Sequence, residues 1–437
     1  MHKQNLRRLI IGAVAIIAIF IGWSMFRNYA KDPGDVGTVA SEGWVLAVED
    51  TDEGYRTVVF NPDGAKTTLS GSADQEDDIE ATWRPDGNKV MLISNREGGS
   101  FGVYRWQPDT QDAELRMPRG TRNAAGLWYP QSGDALQNDG GIVIVSGLVH
   151  RIDQRTQKLT QILPPPSMSR GGAQEEGASG MSGAMSGIYA TLGTSFSSAY
   201  WAGSDQALYA VMRREEGGFM LIYNQLGVDQ TGNPYMPVQL AAGDRIDLDV
   251  LPNGVAAIAI EGFKWSDPND PRIPEQFKKD GELTVPFNNV LFIARPSAEN
   301  APPNMTVAFS ASNDQVLRHP AFAPDGTAII GSAGTLKEGQ FKSDALIIFP
   351  PEEGGVQKAQ PIVPGPAEMP AWHPNGKMIV YVGKDDQGRG RLFTINFATQ
   401  TRKPLGEPGR FTNPMFSPKT DERAGTVPNP PTPAPQP

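Results

Sequence analysis

Apolar and polar positions alternate along most of this chain in runs of five to eight residues, a pattern typical of β-strands rather than helices. The clearest unit predicts strands at 79–83, 89–94, 101–106 and 113–117, with a turn at Pro85-Asp-Gly between the first two. The same order of turn, strand, strand and strand follows each later turn. The pattern therefore predicts a repeated sheet of four short strands.

A bulky side chain stands two residues before a proline turn at six places in the chain. These prolines are Pro85, Pro130, Pro252, Pro324, Pro374 and Pro418, and Ala202 replaces proline in a seventh, degenerate copy. Repetition at this spacing marks a repeat architecture. The bulky residue ends the innermost strand of each unit, where we expect it to fill the wedge between neighbouring sheets.

The two ends of the repeat region complete each other. Strands predicted at 44–49, 56–60 and 66–69 have no inner strand before them, whereas 410–416 is an inner strand with no outer strands after it. Pairing the two sets completes a seventh sheet and removes the exposed sheet edges of an open ring. The sequence thus predicts an all-β, seven-bladed β-propeller over residues 43–418, closed by N- and C-terminal strands.

The amino-acid sequence of the repeats resembles that of a known family. The segment Trp83-Arg-Pro-Asp-Gly-Asn-Lys-Val-Met-Leu-Ile-Ser is similar to the repeat of TolB-like propellers, also called WD40-like or PD40. So are Pro320-Ala-Phe-Ala-Pro-Asp-Gly and Pro370-Ala-Trp-His-Pro-Asn-Gly-Lys. The resemblance implies the propeller fold. It leaves function open, because such propellers serve as scaffolds, receptors and appendages of enzymes.

The N-terminal segment predicts one transmembrane helix. Residues 9–26 carry no charge and are long enough to cross a bilayer; Leu9, Ile16, Phe20, Trp23 and Phe26 are among their apolar members. A cleaved signal peptide is the alternative, but no small-x-small cleavage site follows closely. In the span, Ala18 and Gly22 lie one turn apart and are candidates for helix packing.

The basic residues before this span favour a cytoplasmic N-terminus. We therefore expect a single-pass protein of the bacterial inner membrane, with its propeller in the periplasm or outside the cell. The expected organisation is a cytoplasmic segment 1–8, a transmembrane helix 9–26, a linker 27–42, the propeller 43–418 and a proline-rich tail 419–437.

Composition narrows the chemistry. A net charge of −10 argues against general nucleic-acid binding, and the absence of cysteine excludes disulfides, thiolate metal sites and a cysteine nucleophile. The four histidines lack metal-ligand spacing. We expect no metal, no cofactor and no catalytic residue. His319, which opens an inner strand near the predicted channel, is the residue to test for catalysis.

Two insertions, at 163–195 and 262–287, interrupt the repeat on the face opposite the proline turns, where binding loops usually lie. The first reads either as a solvated low-complexity loop or as a segment that orders against a partner. The second reads either as packing over the propeller or as a docking surface. The partner-binding candidates are Met168, Met181, Met185, Phe263, Trp265, Ile273 and Phe277.

Acidic residues also concentrate on loops of this face. Asp50, Asp52, Asp77 and Asp78 read either as members of solvated turns or as a cation site or a surface for a basic partner.

These features predict a non-enzymatic, membrane-anchored propeller that binds proteins, as a stabilising subunit of a larger membrane assembly such as a respiratory or photosynthetic one. Its partners would be integral membrane proteins or envelope lipoproteins. Two alternatives stay open. One is a TolB-like binder of the cell envelope, and the other is a hydrolase or lyase acting on glycans or peptides in the propeller channel.

Overall fold

The protein is described by a computed structural model. The described residues are 43–69, 77–84, 87, 89–96, 99–106, 113–117, 124–128, 140–153, 156–164, 195–202, 207–227, 235, 237–263, 278–279, 282–283, 288–297, 301–311 and 314–418. The predicted membrane span, the linker and the tail lie outside them.

Seven antiparallel sheets of four strands form the blades of a β-propeller, which confirms the predicted fold. Blade 1 contains β1 (Val45–Thr51), β2 (Gly54–Phe60) and β3 (Lys66–Thr68), together with the last strand of the chain, β30 (Arg410–Phe416). Blade 2 contains β4 (Asp78–Trp83), β5 (Val90–Ser94), β6 (Gly102–Trp106) and β7 (Ala113–Leu115). Blade 3 contains β8 (Ala124–Trp128), β9 (Gly140–Val145), β10 (Leu148–Asp153) and β11 (Lys158–Leu163).

The remaining blades follow in chain order. Blade 4 contains β12 (Phe196–Trp201), β13 (Ala207–Arg213), β14 (Phe219–Gln225) and β15 (Val238–Gly243). Blade 5 contains β16 (Arg245–Val250), β17 (Ala256–Glu261), β20 (Asn289–Arg295) and β21 (Asn304–Ala311), with a small hairpin of β18 (Lys278–Lys279) and β19 (Glu282–Leu283) between its second and third strands. Blade 6 contains β22 (Gln315–Phe322), β23 (Ile329–Lys337), β24 (Gln340–Phe349) and β25 (Gln360–Pro364), and blade 7 contains β26 (Ala367–Trp372), β27 (Met378–Lys384), β28 (Gly390–Asn396) and β29 (Thr401–Leu405).

Helical structure in the described part of the chain is minor. A single 3₁₀ turn, Gly355–Lys358, lies between β24 and β25. No helix among the described residues has the length and apolar character needed to cross a membrane.

The ring closes through blade 1 as predicted. β30 pairs antiparallel with β1, in a register that sets Val45 opposite Phe416 and Asp50 opposite Arg410. The Ser417 N–H donates to the Trp44 carbonyl at 2.7 Å. The described chain therefore enters and leaves the ring side by side. Both points lie at the end of the ring where the inner strands meet their proline turns, which we name the turn face; the opposite end is the insertion face.

The proline turns follow from local chemistry. In the turn after β22, the Gly326 N–H donates to the Ala323 carbonyl at 2.8 Å, and the Asp325 carboxylate accepts from the Thr327 N–H at 2.9 Å. Gly326 has a φ of 72°, which a side chain disfavours, so glycine is required there. The carboxylate is thus a turn former, as predicted from its place before glycine.

The core lies between neighbouring blades rather than in one central mass. Trp83 of blade 2 is buried and packs with Leu46 and Val59 of blade 1. Phe322 of blade 6 packs in the same way with Leu291 of blade 5. Burying one such side chain stabilises the fold by about 1.5–3 kcal/mol. These contacts confirm the predicted role of the bulky residue at these two turns.

Candidate binding site in the propeller channel

The inner strands enclose a channel with a volume of about 920 Å³. Residues of β4, β12, β16, β22, β26 and β30 line it, so that six of the seven blades contribute among the described side chains. A cavity of this size at the axis of a rigid ring is the natural place to look for a ligand.

One layer of the channel wall consists of equivalent residues. Each lies five positions before a turn proline. The members are Glu80, Asp247, His319, Met369 and Asn413. We name this set the polar layer, since four of its five members carry a polar or charged group. It places acids, an imidazole, an amide and a thioether around one opening.

Three consecutive members of the polar layer have an unusual backbone. His319, Met369 and Asn413 have φ values of 50°, 52° and 49°, and each precedes a proline. The β22–β23 pairing shifts register between Arg318 and Ala321, and the other two strands shift at the matching place. A left-handed residue before proline costs free energy, so the surrounding ring must hold it.

The neighbouring inner strand supplies that support. Asp247 accepts a hydrogen bond from the His319 N–H at 3.2 Å. The Asn413 N–H of blade 1 approaches the Met369 sulfur of blade 7 at 3.4 Å in the same relation. A side chain of the polar layer therefore contacts the bulge of the next blade, which ties the layer together around the channel.

His319 is held as a neutral imidazole. Its Nε2 lies 3.4 Å from Nη2 of Arg245, and its Nδ1 lies 3.4 Å from Oγ of Ser332. Because a guanidinium only donates, Nε2 accepts and the ring proton belongs on Nδ1. Burial lowers the pKa of His319 to about 4; Asp247 opposes this effect, whereas Arg245 and Arg318 reinforce it.

These contacts do not assemble a nucleophile beside a base. Ser332 is completely buried, and its oxygen meets Nδ1 of His319 at a long distance, 3.4 Å. Asp247 forms its short contact with Arg245, at 3.0 Å between Oδ1 and Nη2. The cluster thus fixes the wall of the channel and presents Arg245, whose side chain is 42 % exposed, to the opening.

A second ion pair supports the same wall. Both terminal oxygens of Glu261 accept from Arg318, and the contact between Oε2 and Nη2 is 2.9 Å. The Arg318 guanidinium also lies over the Phe341 ring, 4.4 Å from its centroid. Nearby, burial raises the pKa of Glu368, while the positive charges of Arg318, Arg245 and Lys384 oppose the rise. The insertion-face rim is therefore densely charged.

Acidic groups gather on one side of the channel. Burial, and then the charges of Glu80, Asp247 and Asp249, raises the pKa of the Tyr200 hydroxyl above its usual value. Asp249 accepts the Phe322 N–H at 2.6 Å and the Val250 N–H at 3.0 Å, yet burial still raises its pKa. Asp249 thus joins two adjacent inner strands through their backbone.

The channel changes character toward the turn face. There its lining residues are aromatic side chains and prolines, a set that we name the aromatic collar: Trp83, Trp201, Phe322, Trp372 and Phe416 with Pro252, Pro324, Pro374 and Pro418. No member of the collar is charged, although the Asp249 carboxylate lines the channel beside it and accepts the Phe322 N–H. The channel therefore has a polar end at the insertion face and an apolar end at the turn face.

The four acids proposed as a cation site do not converge. Asp78 is buried and pairs with Arg96 at 3.0 Å, and Asp77 accepts the Tyr55 N–H at 2.9 Å. Asp50 and Asp52 both contact Arg410, at 3.2 and 3.5 Å. Among the described residues no group of three or more acidic or histidine side chains could hold a metal ion. These carboxylates instead form ion pairs with arginines or accept hydrogen bonds from backbone N–H groups.

The partner-binding candidates are only partly described. Phe263 is buried and meets the Phe292 ring edge-to-face, with centroids 5.3 Å apart. Its side chain belongs to the core of blade 5, which favours packing over docking for this residue. The other candidates, Met168, Met181, Met185, Trp265, Ile273 and Phe277, lie outside the described residues, and so do the membrane-span residues Leu9, Ile16, Ala18, Phe20, Gly22, Trp23 and Phe26.

The sequence reasoning missed most of the polar layer. Only His319 was singled out, although a signal was available. Counting back five positions from the turn prolines at 85, 252, 324, 374 and 418 finds all five members. This count only requires that the inner strands be aligned by their turn prolines. It does not depend on which side chains occupy the counted positions.

Comparisons with known proteins agree on the fold. Neither a protein-family model nor a curated protein matches the chain. Among solved structures, TolB from Acinetobacter baumannii is similar at 12 % identity and a TM-score of 0.44, over 86 % of this chain and 66 % of that one. Prolyl oligopeptidase B from Galerina marginata is similar at 9 % identity and a TM-score of 0.49, over 85 % and 50 %.

A puromycin hydrolase is similar at 14 % identity and a TM-score of 0.48, over 88 % of this chain and 55 % of that one. Because TolB and hydrolases both appear, these likenesses leave enzymatic activity open. At these scores they describe a fold, and the fold itself rests on the strand pairing above. The predicted resemblance to TolB-like propellers is confirmed at that level.

Proposed function

We propose that this chain is a membrane-anchored propeller of the cell envelope that binds another protein through its insertion face, as a non-enzymatic stabilising subunit of a membrane assembly. One observation carries the proposal. The described chain enters the ring at Trp44 and leaves it at Ser417, and these residues are hydrogen-bonded neighbours on the turn face. An anchor preceding the ring would therefore hold the turn face toward the bilayer.

The opposite face has the features of a contact surface. Both insertions attach there, since β11 ends at that face and the β17–β20 connection also lies there. The exposed large apolar side chains among the described residues are Tyr55 and Ile79, 44 % and 37 % exposed, and both lie at the insertion-face end of adjacent blades. Exposed aromatic and aliphatic groups beside charged ones favour protein contacts.

A paired photocrosslinking experiment tests the orientation. Benzoylphenylalanine replaces Tyr55 on the insertion face in one variant and Thr399, an exposed residue of the β28–β29 turn on the turn face, in the other. Irradiation in intact cells should crosslink an integral membrane protein from position 55 and not from position 399. Carbonate-washed membranes should retain the full-length chain.

The alternatives give different results. A crosslink from position 55 to an envelope lipoprotein would replace the membrane-assembly role with a TolB-like binding role. Crosslinks confined to position 399 would reverse the proposed orientation. Release of the chain by the carbonate wash would remove the anchor from the proposal, whatever the crosslinks show.

A further inference from the structure

Among the residues that the structure describes, one basic side chain lines the channel: Arg245, at the start of β16. Asp247 accepts a hydrogen bond from its Nε at 3.2 Å and pairs with its Nη2 at 3.0 Å, and this Nη2 also lies 3.4 Å from Nε2 of His319. These contacts hold one edge of the guanidinium. Its Nη1 meets no hydrogen-bond acceptor in the described part of the chain, and the side chain is 42 % exposed.

The repeat itself does not require an arginine at this place. The equivalent residue, seven positions before the turn proline, is buried in four other blades, where it is Asp78, Leu317, Ala367 or Phe411. Of these five blades, blade 5 alone exposes a charged side chain here. An arginine that the core does not use, held on one edge and open on the other, is a preorganised receptor for an anion.

Further positive charge acts on the same mouth of the channel. The charges of Arg318, Arg245 and Lys384 all reach the Glu368 carboxyl, so these side chains lie near one another at the insertion-face rim. Arg318 is already paired with Glu261, at 2.9 Å. Lys384 is exposed and forms no ion pair with any described residue. An anion held by Arg245 would therefore also be attracted by Lys384.

The nearby acids favour a carboxylate over a phosphate. Glu80 and Asp247 line the same channel, and Glu368 lies at its rim. Like charges repel, and a phosphate group carries about 1.5–2 negative charges at pH 7, whereas a carboxylate carries a single one. The site therefore tolerates a singly charged anion better.

The other end of the channel sets the body of such a ligand. Toward the turn face the lining includes four prolines, Pro252, Pro324, Pro374 and Pro418, and no member of the collar is charged. The whole channel holds about 920 Å³, within the range of small-molecule sites. A ligand with a carboxylate at one end and an apolar body at the other matches both ends of this space.

We propose that the channel binds a small carboxylic acid with an apolar body. Its carboxylate accepts hydrogen bonds from Nη1 of Arg245 at the insertion-face mouth, and its body lies along the channel toward the collar. This inference goes beyond the proposed function, because it assigns a ligand to the channel and does not depend on the membrane anchor or on the partner.

Isothermal titration calorimetry on the full-length chain tests the site, with 3-phenylpropionate as the probe. The uncharged amide, 3-phenylpropionamide, should bind about tenfold more weakly or worse, because it cannot form a charge-assisted hydrogen bond with Arg245. Acetate, which has the carboxylate without the apolar body, should also lose about tenfold or more. Both comparisons use the wild-type chain, so they do not depend on the folding of a variant.

Two variants locate the binding. Arg245→Gln keeps an amide that can donate to Asp247, and it should weaken 3-phenylpropionate binding by about tenfold or more. Arg389→Gln is the matched control and should keep the wild-type affinity, because Arg389 is exposed, pairs with Asp385 and lies outside the channel lining.

Three results would overturn the proposal. The first is absence of binding, or equal binding of the acid and its amide. The second is undiminished binding of the acid by a folded Arg245→Gln chain. The third is inorganic phosphate binding as tightly as the acid, which would refute the assignment of a carboxylate.

Discussion

Asp78 offers a direct test of what the acidic residues do. Its carboxylate is fully buried, with Oδ1 3.0 Å from Nη2 of Arg96 and Oδ2 accepting the Thr57 N–H of blade 1 at 3.1 Å. Asp78→Ala leaves a buried guanidinium and a buried N–H without this acceptor. Removing one partner of a buried ion pair costs about 3–5 kcal/mol. In a ring of this size the midpoint of thermal unfolding should fall by roughly 4–6 °C.

Asp52→Ala is the matched control. Asp52 is fully exposed, and its contact with Arg410 is long, at 3.5 Å, so the Asp52→Ala change should leave the midpoint of thermal unfolding unchanged. Thermal and urea unfolding followed by tryptophan fluorescence, with and without added Ca²⁺, measures both variants. Equal losses for the two would refute the structural role of Asp78. A Ca²⁺-dependent rise in the wild-type midpoint that either variant abolishes would instead establish the cation site.

Two further predictions use backbone geometry and pH. Gly406 and Gly365 both have a positive φ, but only a Cβ at position 406 would meet the Phe60 ring, at 2.2 Å. Gly406→Ala should therefore lower the free energy of unfolding in urea by about 1–3 kcal/mol more than Gly365→Ala does. The pKa of His319 falls from 6.5 in the unfolded chain to about 4 in the folded one, so the unfolded chain binds the extra proton. About 2–3 kcal/mol of stability should therefore disappear as the pH falls from 6.5 to 4. His319→Asn should remove this slope; the equivalent Asn413 shows that asparagine accepts the same φ.

The ring could be predicted because its signals are local. Each turn needs proline, a turn former and glycine in order, and each wedge needs a bulky residue two places before the proline. The degenerate turn was placed one residue too early: β12 ends at Trp201, and the Ala202 N–H donates to Ala207 as the Arg84 N–H donates to Lys89, so Ala202 occupies the place of Arg84 rather than of Pro85. Closure followed from counting strands at the two ends. None of these inferences required knowing which side chains meet across the channel.

The charged contacts could not be predicted in this way. Asp78 follows a run of acidic residues and reads as solvated, yet Arg96, eighteen residues later, buries it. His319 stands before a proline, a place that favours extended backbone, and it is left-handed because Asp247 of another blade holds its N–H. Both outcomes depend on contacts between strands that only the closed ring brings together.

The two ends of each inner strand are under different constraints. At the turn-face end the described residue is aromatic in five blades and valine in blade 5, because it must fill a wedge of fixed shape. Five positions before the proline, the polar layer carries five different residues, and all of them line the channel. Chemistry can change in this polar layer without loss of the core. Specificity of the channel can therefore be encoded in the polar layer, together with charged neighbours such as Arg245, without changing the residues that build the ring.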